Sequence, residues 1–287
     1  MKVQLLVLSF LFIITTLIAI IFLHGISDPV RIYIYGINHD ENSTRYNTFK
    51  EAGDRLLSMG KYELAIQVLN LAIKFNNTGI DAYLNKAYAL SQLKNYTEAN
   101  EAYDKVIEID PNNHESYHYK GWNLNYLGDM RGSYLDAILR NYTEEYERIY
   151  TQAIAMFDKA LEIDPKDKYS YNGKGYALNK LDKYNQAIAM YDKALEIDPL
   201  FQPAYHNKGT ALNLIGNHTQ AIAMFNKALE IDPKDATSLR GKASAYYNLG
   251  NITEAIRNYA LSLHFDPTNE RALERLSDIF WSKIKHE

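Results

Sequence analysis

His114-Glu115-Ser116-Tyr117-His118 matches a spacing that carries chemistry, His-Glu-x-x-His. On a helix, imidazoles at i and i+4 share one face, where they hold zinc while the glutamate acts as base on the metal-bound water. That chemistry is peptide hydrolysis, and it requires a third ligand and a helix that fixes both rings. The neighbouring residues weaken both requirements. His114 follows Pro111-Asn112-Asn113 and so stands at the helix entry, Lys120 occupies a position that is apolar in a zinc helix, and no third ligand has a suitable spacing. A zinc peptidase using His114, Glu115 and His118 is thus the alternative, and a non-catalytic chain without a cofactor the main expectation. Six Asn-x-Ser/Thr sequons, at Asn42, Asn76, Asn95, Asn141, Asn217 and Asn251, are candidate N-glycosylation sites. Asn95, Asn217 and Asn251 share one place in a periodic pattern, a turn between helices, with Thr97, Thr219 and Thr253 expected as N-caps of the helix that follows.

The elements that position these residues repeat. QAIAMFDKALEIDPKD at 152–167 returns as QAIAMYDKALEIDPLF at 186–201 and QAIAMFNKALEIDPKD at 220–235, a period of 34 residues. Ala153, Phe157 and Ala160, with their equivalents, fall at i, i+4 and i+7, one stripe of a helix. Pro165, Pro199 and Pro233 punctuate these helices, because proline lacks the N–H that a helix interior needs. Extending the period with Ala65, Ala99 and Ala255 predicts six units at 46–79, 80–113, 114–167, 168–201, 202–235 and 236–269. Upstream of each such helix lies another, as in 82–93, 169–181 and 204–215, so every unit reads as a helical hairpin. Units of this size cannot bury their apolar faces alone and must stack.

The pattern resembles the tetratricopeptide repeat family, whose unit reads W-x2-L-G-x2-Y, then A-x3-F-x2-A and P. Unit four supplies Tyr171, Gly175, Leu178, Ala187, Tyr191, Ala194 and Pro199; unit five supplies Tyr205, Gly209, Leu212, Ala221, Phe225, Ala228 and Pro233. The implied fold is all-α, a right-handed α-solenoid of six hairpins with a capping helix at 270–287. One departure recurs. The seventh position, apolar in the family, is Lys86, Lys120, Lys174, Lys208 and Lys242, read either as stems packed on the seam with snorkelling ammonium groups or as a ladder of positive charge.

The remaining stretches carry further expectations. Val3–Leu23 is an uncharged run long enough to cross a bilayer, at 1.5 Å per residue roughly 30 Å. It is read as a transmembrane anchor at 1–24, with a cleaved signal peptide as the alternative. Lys2 ahead of it would keep the N-terminus cytoplasmic and place the repeats outside, a single-pass membrane localisation. Residues 25–45 read as a linker. Unit three carries an insert at 129–148, in which Gly128 closes the first helix and Ser133 caps a helix that runs into the second, kinked near Asn141. Ala272, Leu276, Ile279, Phe280 and Ile284 form the apolar face of the terminal helix.

Composition narrows the function. The 287 residues include no cysteine and carry a net charge of −4 without a dense basic block, so thiolate metal sites and the electrostatic footprint of a nucleic-acid binder are missing. In the resembled family the second, fifth, ninth, twelfth and thirteenth positions of each first helix line a concave groove. Carried over, these are Tyr88 in unit two, then His118, Trp122, Asn125 and Tyr126 in unit three. Asn172, Tyr176 and Asn179 follow in unit four, His206 and Asn213 in unit five, and Arg240, Tyr247 and Asn248 in unit six. Asn125, Asn179 and Asn213 share a register and form a candidate ladder for a peptide backbone. The partner implied is a protein or extended peptide; a glycan is a further alternative, because aromatic rings beside amides also suit sugars.

Overall fold

The computed structural model describes residues 41–135 and 143–284. Among them are thirteen α-helices and no strand. They are α1 (Glu41–Ser58), α2 (Tyr62–Phe75), α3 (Ile80–Gln92), α4 (Tyr96–Ile109), α5 (His114–Leu135), α6 (Thr143–Ile163) and α7 (Lys168–Lys180). There follow α8 (Tyr184–Ile197), α9 (Gln202–Leu214), α10 (His218–Ile231), α11 (Ala236–Asn248), α12 (Ile252–Phe265) and α13 (Glu270–Ile284). The helix at Glu41 corrects the linker boundary, since residues 41–45 are already helical; residues 25–40 lie outside the described residues.

The expected single-pass membrane localisation is also corrected. No helix among the described residues is long and apolar enough to cross a membrane. The run at 3–23, on which that expectation rested, lies outside them.

Two chemical devices set the helix ends. Within a pair, Gly60, Lys94, Asp182, Gly216 and Gly250 take φ of 69°, 60°, 58°, 84° and 76°. The next residue then donates its N–H back five residues, as in Asn95→Leu90 O, Lys183→Leu178 O and Asn217→Leu212 O, each 2.9 Å. This left-handed closure satisfies carbonyls that the helix end would orphan. Between pairs, the aspartate of each Asp-Pro accepts from the N–H two residues on: Lys166 N to Asp164 Oδ1 is 2.9 Å and Lys234 N to Asp232 Oδ1 is 3.1 Å. The expected threonine caps are corrected. Asn95, Asn217 and Asn251 themselves stand at the N-cap with φ of −85°, −82° and −82°, and only the Asn251 side chain there accepts a bond, from Glu254 N.

Packing explains the periodic small residues. Ala65, Ala99, Ala153, Ala187, Ala221 and Ala255 are all fully buried. The Phe157 ring fills a slot between Gly121 and Gly173: a Cβ on Gly173 would stand 2.3 Å from Phe157 Cζ, and one on Gly121 2.8 Å from its Cε1. Gly209 and Gly241 flank Phe225 in the same way, at 2.9 and 2.5 Å. Each ring therefore ties its own unit to the next one at native packing density.

The lysine seam is paired. Lys120, Lys174 and Lys208 bond Asp104, Asp158 and Asp192 of the preceding second helix, each 16 residues back. The residues 16 back from Lys86 and Lys242 are Asn70 and Asn226, and there no ion pair forms. Three of the five charges are thus neutralised, which removes a continuous positive ladder.

Unit three departs from expectation. Helix α5 continues unbroken through Gly128 and Ser133 to Leu135. Gly128 serves close approach to Tyr150 instead of closing the helix, and a Cβ there would stand 2.6 Å from the ring's Cζ. Helix α6 begins at Thr143, so both helices of the pair are extended, and Ser133 starts nothing. Asn141 lies outside the described residues. At the chain's end, α13 packs on α12 with Ala272 and Ile279 buried, but Phe280, expected inside, is half exposed.

Candidate functional site

First helices touch first helices of neighbouring units: α1 meets α3, α5 meets α7, α7 meets α9 and α9 meets α11. They therefore form one continuous wall, and the expected groove residues are distributed along it.

The aromatic members gather in one region. Trp122 on α5 lies 5.9 Å from Tyr126 and 6.3 Å from Tyr176 of α7, and stands edge-on to the buried Phe157 at 5.8 Å. Tyr126 stacks on Tyr96 of α4 at 5.6 Å. Asp129 clamps this cluster from below: its carboxylate accepts the Tyr150 hydroxyl at 2.7 Å and the Tyr176 hydroxyl, and pairs with Lys180 at 2.7 Å. Burial, and then the Asp129 carboxylate, push the Tyr176 phenol far above its ordinary value, so it stays a donor. Tyr88, Tyr126 and Tyr247 leave 43, 47 and 43% of their surface free. Large rings held this rigidly offer contact area at low entropic cost.

The amides behave differently. Asn125 is fully buried and donates to Gly173 O at 3.0 Å, and Asn172, also buried, accepts from Asn207 at 2.9 Å. Asn213 accepts from Asn248 at 3.3 Å and donates weakly to Ser244 at 3.4 Å. Much of the expected ladder thus stitches unit to unit. Asn125 Oδ1 and Asn179 Oδ1 remain buried without a partner.

The two histidines of the hydrolytic motif converge on one carboxylate. His118 Nδ1 lies 2.9 Å from Asp167 Oδ2 and 2.9 Å from Ser170 Oγ; His114 Nε2 lies 3.1 Å from the same Oδ2 but is not aligned to bond it. Burial favours the protonated acid, yet hydrogen bonds from His118 and Ser170, with the charge of His118, hold the Asp167 carboxyl well below the usual carboxylate range. Asp167 also caps α7 through Tyr169 N at 2.9 Å. Two imidazoles turned onto one capping carboxylate leave no open ligand set around Glu115. Among the described residues no group of three or more His, Cys, Asp or Glu is placed to hold a metal. Nor is this a hydrolytic triad: Ser170 is fully buried, and one ring nitrogen faces both serine and aspartate.

The same device recurs at His206, whose Nδ1 lies 2.9 Å from Ser238 Oγ, with Ser238 bonded at 2.5 Å to the capping Asp235. Asp129, Asp167, Ser170 and Ser238 are contributors that sequence reasoning did not single out. The recurring His at one place and Ser 32 or more residues later is the signal that could have found the last three.

Family models match much of this wall. Models described as tetratricopeptide repeat cover residues 169–201, 203–235 and 80–113, and one described as TPR repeat covers 53–94. Small glutamine-rich tetratricopeptide repeat-containing protein 2 of Saccharomyces cerevisiae is 28% identical over 131 residues, 43% of this chain and 38% of that one. Dynein axonemal assembly factor 4 of Pongo pygmaeus is 28% identical over 120 residues, 42% of this chain and 26% of that one. The match therefore spans well under half of these relatives' length. Among solved structures, PilW, titled a widely conserved type IV pilus biogenesis factor, superposes with a TM-score of 0.66 at 22% identity, covering 80% of this chain and 98% of that one. The pilF protein of Pseudomonas aeruginosa follows with 0.62 at 16% identity, covering 83 and 99%. At such identities the likeness shows the fold. Matched motifs, paired helices and buried glycine–aromatic slots agree, and the chain carries tetratricopeptide repeats at residues 53–113, 169–201 and 203–235.

Proposed function

We propose that the chain is a non-catalytic scaffold that binds a protein or extended peptide along the wall of first helices, with six units at the boundaries read from the sequence and α13 as the cap. Proteins built of these repeats generally mediate protein–protein interaction, and the aromatic cluster supports this reading. The single supporting observation is the cluster of Trp122 and Tyr176, partly buried, with the exposed Tyr126, anchored from behind by Phe157 and Asp129. Tyr88 and Tyr247 extend the surface to either side.

The test is titration of a partner recovered with the full chain against parent, Trp122→Ala and Lys208→Gln proteins. The proposal expects Trp122→Ala to weaken binding at least about thirtyfold, roughly 2 kcal/mol, at unchanged helicity, with Lys208→Gln near parent. Loss of binding in Lys208→Gln alone would instead point to a charge-reading surface on the seam.

A further inference from the structure

A stack of repeats has two ends, and each needs a polar outer face to stay in solution. The head obeys this. Every exposed residue described on α1 is polar, Asn47, Glu51 and Arg55 among them. The tail does not. On α13 Leu273, Phe280 and Trp281 leave 58, 51 and 62% of their surface free, with Ser277 exposed between them.

The 34-residue register identifies this face. Leu273, Ser277 and Phe280 stand at the places of Tyr171, Gly175 and Leu178, of Tyr205, Gly209 and Leu212, and of Leu239, Ala243 and Tyr246. In those units the three places receive the unit's own second helix. A Cβ on Gly175 would stand 2.5 Å from Tyr191 Cε1, and one on Gly209 2.9 Å from Phe225 Cε1. Leu178, Leu212 and Ala243 are buried in the same contacts. Among the described residues no second helix follows α13, whose other side, with Ala272 and Ile279, is buried against α12. Helix α13 therefore keeps the joint surface of a first helix without its cover. None of the three places is a groove position, so this face is separate from the wall, and Trp281 borders it.

The stripe is its own complement. Read backwards, Leu-x3-Ser-x2-Phe again sets a large residue on each side of a small one, so two α13 helices can cross antiparallel with serine against serine. The short turns impose that same antiparallel arrangement on the helix pairs of the stack. The small Ser277 lets the backbones approach, and Leu273 of one copy then meets Phe280 and Trp281 of the other. The polar head offers the tail no such match.

We propose that this face of α13 binds the same face of a second copy, forming a tail-to-tail dimer about a two-fold axis at Ser277. Such a contact is isologous and closes after one partner. Removal of Leu273, Phe280 and Trp281 from water drives it. One helix per copy covers less than the roughly 800 Å² per partner of a standard interface, so the dimer is reversible.

The test combines sedimentation of the full chain over a range of concentrations with cross-linking through single cysteines. The chain contains no cysteine, so Ser277→Cys introduces one thiol per copy, at the axis. A disulfide needs Cα atoms roughly 4.4–6.8 Å apart, a spacing that the two-fold gives only to residues at the crossing. The mass of the parent should rise from 33.0 kDa towards twice that value with concentration. Under mild oxidation Ser277→Cys should form a covalent dimer at least about tenfold faster than Glu51→Cys on the head, because the axis holds its thiols together. Adding Phe280→Glu, which buries an unpaired charge at the joint, should abolish both the mass shift and the cross-link. All three substituted side chains are exposed, so helicity and melting should stay at parent values and loss of the dimer is not loss of the fold. A chain that stays monomeric throughout overturns the proposal and leaves the face to a helix of another protein. Association that survives Phe280→Glu, or equal cross-linking at residues 277 and 51, overturns it too, because another surface would then make the contact.

Discussion

The middle of the stack and its tail leave apolar surface free for different reasons. Around Trp122 the polar groups are consumed, Asp129 by Tyr150, Tyr176 and Lys180, and Asp167 by His118 and Ser170, so that what remains for contact is aromatic surface. On α13 the covering helix is missing, and Leu273 and Phe280 remain free at places that earlier units cover. The difference lies in the neighbour. A first helix in the middle is followed by a second one that packs over it, whereas among the described residues no helix follows α13. In a stack, leftover chemistry accumulates where the succession of units changes.

Trp122→Ala should have the largest effect on this contrast, removing the central aromatic contact and costing at least about 2 kcal/mol of partner binding, read by titration of the partner against parent and variant. Gly173→Ala comes next. It drives a methyl into Phe157, the ring that backs Trp122, and should lower stability by about 1 to 3 kcal/mol in denaturant unfolding, as should Ala187→Leu at the fully buried small site on α8 of the same unit. An unchanged midpoint in both variants would refute the packing register.

Asp167 makes the middle sensitive to acid. Its folded carboxyl is depressed below the reference of 3.8, so its stabilising contribution is present above that value and is lost as pH falls towards the folded one. Asp167→Asn should therefore be less stable than parent at neutral pH, with the gap closing below about pH 4 in thermal melts. A gap that stayed constant with pH would remove His118 and Ser170 as its cause. Lys208→Gln sharpens the comparison from its quiet side. The Lys208–Asp192 pair is half exposed, and such pairs contribute about 0 to 1 kcal/mol, so stability and partner binding should stay near parent.

Much of this was legible. The alanine stripe, the Asp-Pro stops and the glycine positions report backbone approach and chain reversal, which are local and periodic, and they placed the pairs from Tyr62 to Phe265. Lengthening of α5 and α6 was not legible, because Gly128 serves equally as a helix terminator or as a slot for a ring, and only Tyr150 decides between them. The asparagines illustrate the same limit: their register on the wall was readable, but whether Asn125 faced a ligand or Gly173 O depended on the neighbouring helix. Arg240 was found by register alone; Arg271 and Arg275, which line one open cleft with it, sit on a helix read only as a cap.

The 16-residue link between aspartate and lysine has a consequence for how such a chain grows. Unit 168–201 presents Lys174 to the unit before it and Asp192 to the unit after it. Its two edges are thus complementary to each other. A second copy spliced in after residue 201 would meet Asp192 with its own Lys174, so duplication lengthens the array while keeping the ionic joint. Units with Asn70 or Asn226 at the aspartate position lack that ionic half of the joint, which makes the stretch from Asp104 to Lys208 the segment best suited to have expanded by copying.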